Sequence, residues 1–173
     1  NVSEDGTEER SYPYGNTFAH VVGYDTNGKS GLESEANFQL LSSHEFFLNQ
    51  IRNEFMGTKN TGDSVVSTLS ADLQTTAYNS LGDRRGAVVA LEPSTGKILA
   101  LVSKPDFDPN TISENWDTLV NDETNSSLLN RATMGQYPPG STFKVVTALD
   151  YFRTRGSFNG FSFDCQCSIT KEN

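Results

Sequence analysis

A serine and a lysine near the C-terminal end of this chain have types and a spacing that could perform nucleophilic chemistry. Ser141 stands three residues before Lys144 in the stretch YPPGSTFKVV. On a helix, residues three apart share one face, so the amine of Lys144 would lie within reach of the Ser141 oxygen. A lysine that is shielded from water favours its neutral form and can act as a general base toward a hydroxyl. The pair therefore predicts a serine nucleophile activated by a lysine.

The S-x-x-K spacing alone is weak evidence, because it occurs three times, beginning at Ser94, Ser141 and Ser168. Ser94 lies in a predicted hairpin turn, where serine is common because its hydroxyl bonds to the backbone. Ser168 lies in a polar tail with no helical pattern. Only Ser141 is followed by apolar residues at helical spacing, so we expect it to open a buried helix. An N-cap serine and a solvated lysine explain the same pair about equally well.

The residues around Ser141 would determine the direction of its hydroxyl and the field that it experiences. Pro138 and Pro139 are incompatible with a helix before the serine, and Gly140 permits a backbone angle that other residues avoid. The first turn of the following helix has unpaired N–H groups and the positive end of the helix dipole, which stabilise an alkoxide or an oxyanion. We therefore expect the serine to be held at the N-terminal end of a helix.

The segment before this site predicts a helix followed by a hairpin. Ser70 is a suitable N-cap, Asp72 follows in the first turn, and Gly82 can end the helix. The apolar runs Gly86 to Leu91 and Lys97 to Ser103 flank a Pro-Ser-Thr-Gly turn and predict an antiparallel pair of strands. Because both runs are apolar almost throughout, we expect the hairpin to be covered on two faces.

The other segments contain weaker signals. Phe18 to Tyr24 is a short strand-like run in a loop-rich region. Apolar residues at helical spacing extend from Ser34, a candidate N-cap, to Gly57, a candidate stop. Trp116 to Val120 is a candidate short helix. The order of these elements predicts an α+β fold built on an antiparallel sheet.

The composition restricts the classes of partner and ligand. The 173 residues carry 13 Lys and Arg against 22 Asp and Glu, a formal net charge of -9, so nucleic acid is not an expected partner. No apolar run is long enough to cross a bilayer, and the first residues lack the features of a signal peptide. Cys165 and Cys167 are too close for an easy mutual disulfide, and His20 and His44 lack metal-ligand spacing. We expect free or buried thiols and structural histidines.

The serine and its flanks resemble the active-site motif of the penicillin-binding transpeptidases. LLNRATMGQYPPGSTFK is similar to the stretch that carries the nucleophile in that family, and GAVVALEPSTGKILALVSKPDFDPN is similar to the stretch that leads into it. The resemblance implies that residues 63–173 are the N-terminal portion of a transpeptidase domain, a β-lactamase-like antiparallel sheet with helices. It also implies that Ser141 is the nucleophile, Lys144 its activating partner, and the Ser141 N–H half of the oxyanion hole.

Two motifs nearer the N-terminus resemble the pedestal of the class B members of this family. RSYPYG, from Arg10 to Gly15, matches R-x-Y-P-x-G, and GKSGLE, from Gly28 to Glu33, matches G-x-x-G-x-E. The resemblance implies that residues 1–62 are an incomplete, loop-rich pedestal or dimerisation-type domain. In that domain Arg10 and Glu33 would be a structural pair and not catalytic groups.

The resemblance also implies a function, a location and partners for the complete protein. It would be a serine acyltransferase that cross-links peptidoglycan stem peptides and binds β-lactams covalently, without a metal or an organic cofactor. It would be extracytoplasmic, with a membrane anchor upstream of this chain. It would associate with the proteins of a cell-wall synthesis complex.

The chain departs from the family pattern in three places. The S-x-N and K-[ST]-G motifs of the family lie downstream of the nucleophile, and about thirty residues after Lys144 are too few for the rest of such a domain. We therefore expect the chain to lack both motifs beyond Ser141 and to be inactive by itself. Ser113-Glu114-Asn115 has the S-x-N pattern but precedes the serine in a predicted polar loop. Asn37 stands where the pedestal motif usually has an acidic residue.

Two other functions stay open on the sequence alone. A class D β-lactamase or a β-lactam sensor also carries its serine in an S-T-F-K sequence, although such proteins lack the two pedestal motifs. A non-catalytic pedestal or interaction module would use the aromatic residues of residues 1–66 to dock other proteins. Fast hydrolysis of a penicillin would favour the β-lactamase, and a long-lived acyl adduct would favour the transpeptidase.

Overall fold

The computed structural model describes residues 10–42, 47–57 and 62–165, and they form two compact units that divide after Gly135. The first unit contains a 3-10 helix (Gly15–Phe18), α1 (Ala19–Val22), α2 (Gly31–Glu35), α3 (Asn37–Leu41), α4 (Phe47–Met56), α5 (Ala71–Leu81), β1 (Gly86–Glu92), β2 (Lys97–Lys104) and α6 (Ile112–Val120). The second contains a 3-10 helix (Gly140–Phe143) and α7 (Lys144–Arg155). The division into domains 1–62 and 63–173 stays a prediction.

Helix α5 and the hairpin have the predicted positions. Ser70 caps α5, since its side chain accepts a hydrogen bond of 3.4 Å from the Leu73 N–H, and Gly82 ends the helix with a φ of 55°. Strands β1 and β2 pair antiparallel, from Gly86 opposite Lys104 to the turn. The local signals of cap, turn and apolar run therefore sufficed for these three elements.

One face of the hairpin is covered, and the other is not. Ala100 and Val102 are buried, whereas Val89 and Leu91 remain exposed, Leu91 by 57%. A register shift after Ala90 places Leu91 opposite Ile98, which is also exposed. The expectation of two covered faces is therefore wrong for the described part of the chain. Apolar composition indicates that a face is suited to burial, but it does not supply the element that buries it.

The run from Phe18 to Tyr24 is mostly helical and not a strand, so that prediction is wrong. Helix α1 buries two consecutive residues, Ala19 and His20. Consecutive residues of a strand point to opposite faces, so burying both of them on one side favours a helical turn. Ala19 joins the core cluster with Phe107, and the His20 ring packs edge-on against Phe107 at 5.1 Å. These long-range contacts override the strand propensity of the valines.

The other helices differ from prediction mainly at their ends. Ser34 lies inside α2 and not at its start, because Gly31 already opens that helix after Ser30. Helix α4 is followed by Gly57, as predicted. Helix α6 contains the predicted segment Trp116 to Val120 and begins earlier, at Ile112. Among the described residues, no helix is both long enough and apolar enough to cross a bilayer.

The core of the first unit is built around Ala19, Phe107 and Ile112. Tyr24 packs edge-on against Phe107 and against Trp116, with ring centroids 5.7 Å apart in both pairs. This core thus joins α1, α6 and the segment between β2 and α6. Residues 19–24 and the segments that follow the hairpin are therefore parts of one compact unit.

Candidate active site

Ser141 and Lys144 lie where a 3-10 helix passes into α7. Ser141 is in the 3-10 helix, and Lys144 is the first residue of α7. A 3-10 helix has three residues per turn, so residues i and i+3 leave the backbone on the same side, about 6 Å apart along the axis. The predicted helix near Ser141 is thus present, with a tighter first turn than a regular α-helix.

The turn before the serine has a defined conformation. Pro139 has a φ of -65°, and Gly140 has a φ of 53° in the left-handed region, where a side chain is unfavourable. Thr142 donates twice to the Pro139 carbonyl, through its N–H at 3.1 Å and its Oγ1 at 2.5 Å. These contacts specify the backbone on both sides of Ser141. Pro139, and not Ser141, occupies the N-cap position.

The environment of the serine and lysine is more open than the sequence predicts. Both side chains are exposed and, within the described residues, no hydrogen bond joins them. The apolar face of α7 is also exposed, with Val145 at 64% and Leu149 at 63%. The expectation of a buried helix is therefore wrong for the part of the chain that the structure describes. A general base would require that Lys144 be shielded from water, and no group within the described residues shields it.

The two pedestal motifs meet through an ion pair. Arg10 Nε donates to Glu33 Oε1 at 2.8 Å, and Arg10 Nη2 donates to Glu33 Oε2 at 2.6 Å. The Glu33 side chain is buried, and hydrogen bonding to it raises the pKa of Arg10 above its usual value. Gly15 and Gly28 adopt φ angles of 47° and 104°, which explains glycine at both motif positions. The structural roles that the resemblance implies for these four residues stay a prediction, which the ion pair and the φ angles motivate.

Family models match both parts of the chain. A model described as "Penicillin binding protein transpeptidase domain" matches residues 86–154, which include Ser141 and Lys144. A model described as "Penicillin binding protein A dimerisation domain" matches residues 1–65. The chain belongs to the penicillin-binding protein family. The resemblance that the motifs indicate is therefore confirmed.

Individual penicillin-binding proteins are similar over most of the chain. The peptidoglycan D,D-transpeptidase PbpA of Mycolicibacterium smegmatis is 41% identical over 164 residues, which are 84% of this chain and 33% of the relative. PbpA of Mycobacterium tuberculosis is 38% identical over 80% of this chain and 31% of the relative. The imipenem acyl-enzyme structure of penicillin-binding protein A from M. tuberculosis superposes with a TM-score of 0.73 at 34% identity, covering 85% of this chain and 37% of that one. The chain thus spans about a third of the length of these relatives.

Two tripeptides of this penicillin-binding protein have the S-x-N pattern, and both serve local structure. Ser113-Glu114-Asn115 lies on α6 and not in a loop, and the Asn115 side chain donates to the Thr111 carbonyl at 3.1 Å. Ser157-Phe158-Asn159 is a second such tripeptide, which follows Ser141, and the expectation that the chain lacks the family motif beyond the serine stays a prediction. The Asn159 N–H donates to Ser157 Oγ at 3.2 Å, which is a serine turn after α7.

Two amide side chains that the sequence did not single out connect distant parts of the first unit. Asn110 pairs with the backbone of Tyr12, accepting from its N–H at 2.8 Å and donating to its carbonyl at 3.1 Å. Gln74 is fully buried and donates to the carbonyls of Thr17 and Leu101, each at 2.8 Å. In the sequence, the two residues appear only as an asparagine in a turn and a glutamine among apolar helix positions. Neither signal identifies the partner.

The remaining candidate residues show no ligand-binding arrangement. His20 is buried with its Nε2 at 3.3 Å from the Pro105 carbonyl, and burial lowers the pKa of His20 below its usual value. Cys165 is an exposed free thiol, while His44 and Cys167 lie outside the described residues. No group of three or more His, Cys, Asp or Glu side chains in the described ranges could hold a metal ion.

Proposed function

We propose that this chain is part of a peptidoglycan D,D-transpeptidase in which Ser141 forms the acyl-enzyme. One observation carries the proposal: the transpeptidase model extends over Ser141 and Lys144, at a 3-10 turn whose three residues per turn would bring the two side chains to one side of the backbone. The similar M. tuberculosis protein is an acyl-enzyme with imipenem in its crystal structure. Its activity and ligand are the basis for extending the same chemistry to this chain.

The proposed reaction is an acyl transfer in two steps. Ser141 Oγ loses its proton to a base, for which Lys144 is the candidate, and bonds to the carbonyl carbon of the penultimate D-Ala. The C–N bond to the terminal D-Ala breaks, and D-Ala leaves as a free amine after it takes up a proton. The amine of a second stem peptide then attacks the ester. The cross-link forms, and the Ser141 hydroxyl is restored.

The backbone supports this chemistry at the same position. The carbonyl oxygen becomes negative when Ser141 attacks, and the Ser141 N–H would supply half of the oxyanion hole. The N-terminal end of α7 would stabilise the same charge through its dipole. A β-lactam would enter by the same attack, with its amide bond opening in place of the peptide bond.

The proposal includes the setting of the complete protein. Residues 1–62 would be part of the pedestal, held by Arg10 and Glu33, and residues 63–173 would be the first portion of the catalytic domain. The protein would act outside the cytoplasm, attached through an upstream membrane anchor, beside other proteins of cell-wall synthesis.

Release of D-Ala tests the proposal. The complete protein that contains this chain is incubated with a stem peptide ending in D-Ala-D-Ala, and free D-Ala is measured. Ser141→Ala should reduce release to background. Ser94→Ala, at the S-x-x-K of the hairpin turn, should release D-Ala at the wild-type rate. Release that persists in Ser141→Ala, or that is lost in Ser94→Ala, would overturn the assignment.

A further inference from the structure

An exposed turn of the first unit holds an asparagine directly before a glycine. Residues 24–30, here called the Asn27 turn, connect α1 with α2, and residues 26–29 are exposed. Asn27 has a φ of 52° and Gly28 a φ of 104°, so the tip of the turn needs two residues that tolerate the left-handed region. The pair therefore lies where water has access to both residues.

The base of the Asn27 turn is fixed, whereas its tip is not. The Ser30 N–H donates to the Tyr24 carbonyl at 3.2 Å, and a Cβ on Gly23 would lie 1.9 Å from the Ser30 carbonyl oxygen. At the tip, a Cβ on Gly28 would meet no atom within 4 Å. Within the part of the chain that the structure describes, neither the Asn27 side chain nor the Gly28 N–H makes a hydrogen bond. The tip can thus change its conformation at small cost while the base holds the turn in place.

We propose that Asn27 is a site of spontaneous modification, at which water converts the asparagine into aspartate and isoaspartate. The Gly28 nitrogen bonds to Asn27 Cγ, the Cγ–Nδ2 bond breaks, and ammonia leaves with the proton of the Gly28 nitrogen. A cyclic succinimide results. Water then breaks one of its two C–N bonds: cleavage at Cγ gives aspartate, and cleavage at the main-chain carbonyl carbon gives isoaspartate. The whole reaction takes up one water and releases one ammonia.

The glycine and the open tip both favour this ring closure. A Cβ on the residue that supplies the nitrogen would crowd its approach to Asn27 Cγ, and Gly28 has none. Because no described group accepts from the Gly28 N–H, the attack breaks no hydrogen bond within the described residues. The space around Gly28 also leaves room for the ring. Sequence and structure therefore agree on the same reactive pair.

The modification would change the charge and the length of the turn. A new carboxylate would stand two residues after Asp25, which accepts from the Tyr12 hydroxyl at 3.1 Å, and two residues before Lys29. Isoaspartate would also add one main-chain atom directly before Gly28, the first residue of the G-x-x-G-x-E motif. Modified molecules should thus separate from unmodified ones by charge.

A second Asn-Gly pair provides an internal comparison. Asn159 and Gly160 follow α7, and the Phe161 N–H donates to the Phe158 carbonyl at 3.1 Å, directly across this pair. That hydrogen bond restricts the backbone between the two residues that would have to react. We therefore expect slower conversion at Asn159 than at Asn27.

Ageing of the complete protein at neutral pH tests the proposal. Peptide mapping by mass spectrometry follows the two asparagines over weeks, and a protein isoaspartate methyltransferase counts the isoaspartate. We expect Asn27 to be converted within about tenfold of the rate in a synthetic peptide of residues 24–30, and at least about threefold faster than Asn159. The rate should rise with pH, because the Gly28 nitrogen must lose its proton when it attacks.

Asn27→Gln is the test variant, and Asn159→Gln is its matched control. The longer glutamine side chain places its carbonyl carbon less favourably for ring closure, so total isoaspartate should fall by more than about half in Asn27→Gln and much less in Asn159→Gln. Wild-type Asn27 that stays intact while the peptide is converted, or an equal loss of isoaspartate in both variants, would overturn the proposal. Mapping of the wild type decides the question even if a variant does not fold. None of these measurements depends on acylation of Ser141.

Discussion

Arg10 and Glu33 show how one ion pair connects two sequence motifs. The two side chains are 23 positions apart, and two hydrogen bonds join them in a bidentate arrangement. The Glu33 side chain is 7% exposed and the Arg10 side chain 46%, so water reaches the pair mainly from the arginine side. Loss of the arginine would leave a charged group in the interior without its cation, which costs more than loss of a surface pair.

Substitution of Arg10 should therefore destabilise the fold measurably. We expect Arg10→Met to lower the free energy of unfolding by about 1–3 kcal/mol, less than for a fully buried pair because the guanidinium is half exposed. Urea unfolding of the chain measures the change. Arg52→Met, at an exposed position of α4, is the control and should stay within about 0.5 kcal/mol of wild type. Equal losses in the two variants would contradict the structural role of the pair.

His20 should make stability depend on pH in one direction. Burial lowers its pKa below the ordinary 6.5, although the Pro105 carbonyl and Asp106 act in the opposite direction. The unfolded chain binds a proton as the pH falls through 6.5, whereas the folded chain does so only at lower pH. The stability contributed by the neutral ring is thus present above this pH and is lost below it.

A histidine variant isolates this effect. We expect the stability advantage of wild type over His20→Gln to be larger at about pH 7.5 than at about pH 5. Urea unfolding at the two pH values provides the comparison, and the difference between the proteins cancels the other titrating groups. An advantage that does not change with pH would show that His20 has no lowered pKa in the folded chain.

At the scale of elements, α5 and β2 are joined by the side chain of Gln74. Its Nε2 donates to the Leu101 carbonyl and its Oε1 accepts from the Leu101 N–H, each at 2.8 Å. These two bonds reproduce what a neighbouring strand would offer to one residue of β2. The third bond, to the carbonyl of Thr17, attaches the first 3-10 helix. One amide thus connects three elements.

Removal of this amide should be costly. Gln74→Met would leave three partly buried backbone groups without this partner, and we expect a loss of about 2–4 kcal/mol. Thr76→Met, on the exposed side of α5, should change stability by less than about 0.5 kcal/mol. Thermal and urea unfolding both report the effect. A Gln74→Met chain as stable as Thr76→Met would mean that the amide is not needed to join these elements.

An element could be predicted from the sequence when the interactions that form it join residues close together in the chain. The bounds of α5 and of the hairpin follow from Ser70, Gly82 and the turn after Glu92, all of which act on their immediate neighbours. Helix α1 could not be predicted in this way, because its conformation depends on burial against Phe107, far along the chain. The exposure of α7 likewise depends on what surrounds it, which local spacing does not report.

At the scale of the whole molecule, side-chain amides join the N-terminal motifs to the region of the hairpin. Asn110 bonds to the backbone of Tyr12, and the Asn16 side chain donates to Asp106 at 2.9 Å. Together with the bond from Gln74 to Thr17, these contacts place residues 10–24 in the same compact unit as the strands. Sequence motifs mark the two regions separately, since a motif does not show which distant residue it contacts.

The candidate site was predictable only where its chemistry depends on adjacent residues. Gly140, Ser141 and Lys144 could be selected because a flexible glycine, a serine and a lysine three residues after it have a chemical reason to occur in that order. The amides of Asn110 and Gln74 could not, because the backbone groups that they bond lie far away along the chain. Family motifs added the pedestal residues, whose contact is likewise long-range.

The most direct test of the account is the position of a penicillin adduct. The complete protein is treated with labelled penicillin and digested, and the labelled peptide is mapped by mass spectrometry. We expect a long-lived adduct on Ser141 that disappears in Ser141→Ala and persists in Ser94→Ala. An adduct on another residue, labelling of Ser141→Ala, or rapid release of hydrolysed penicillin would contradict it.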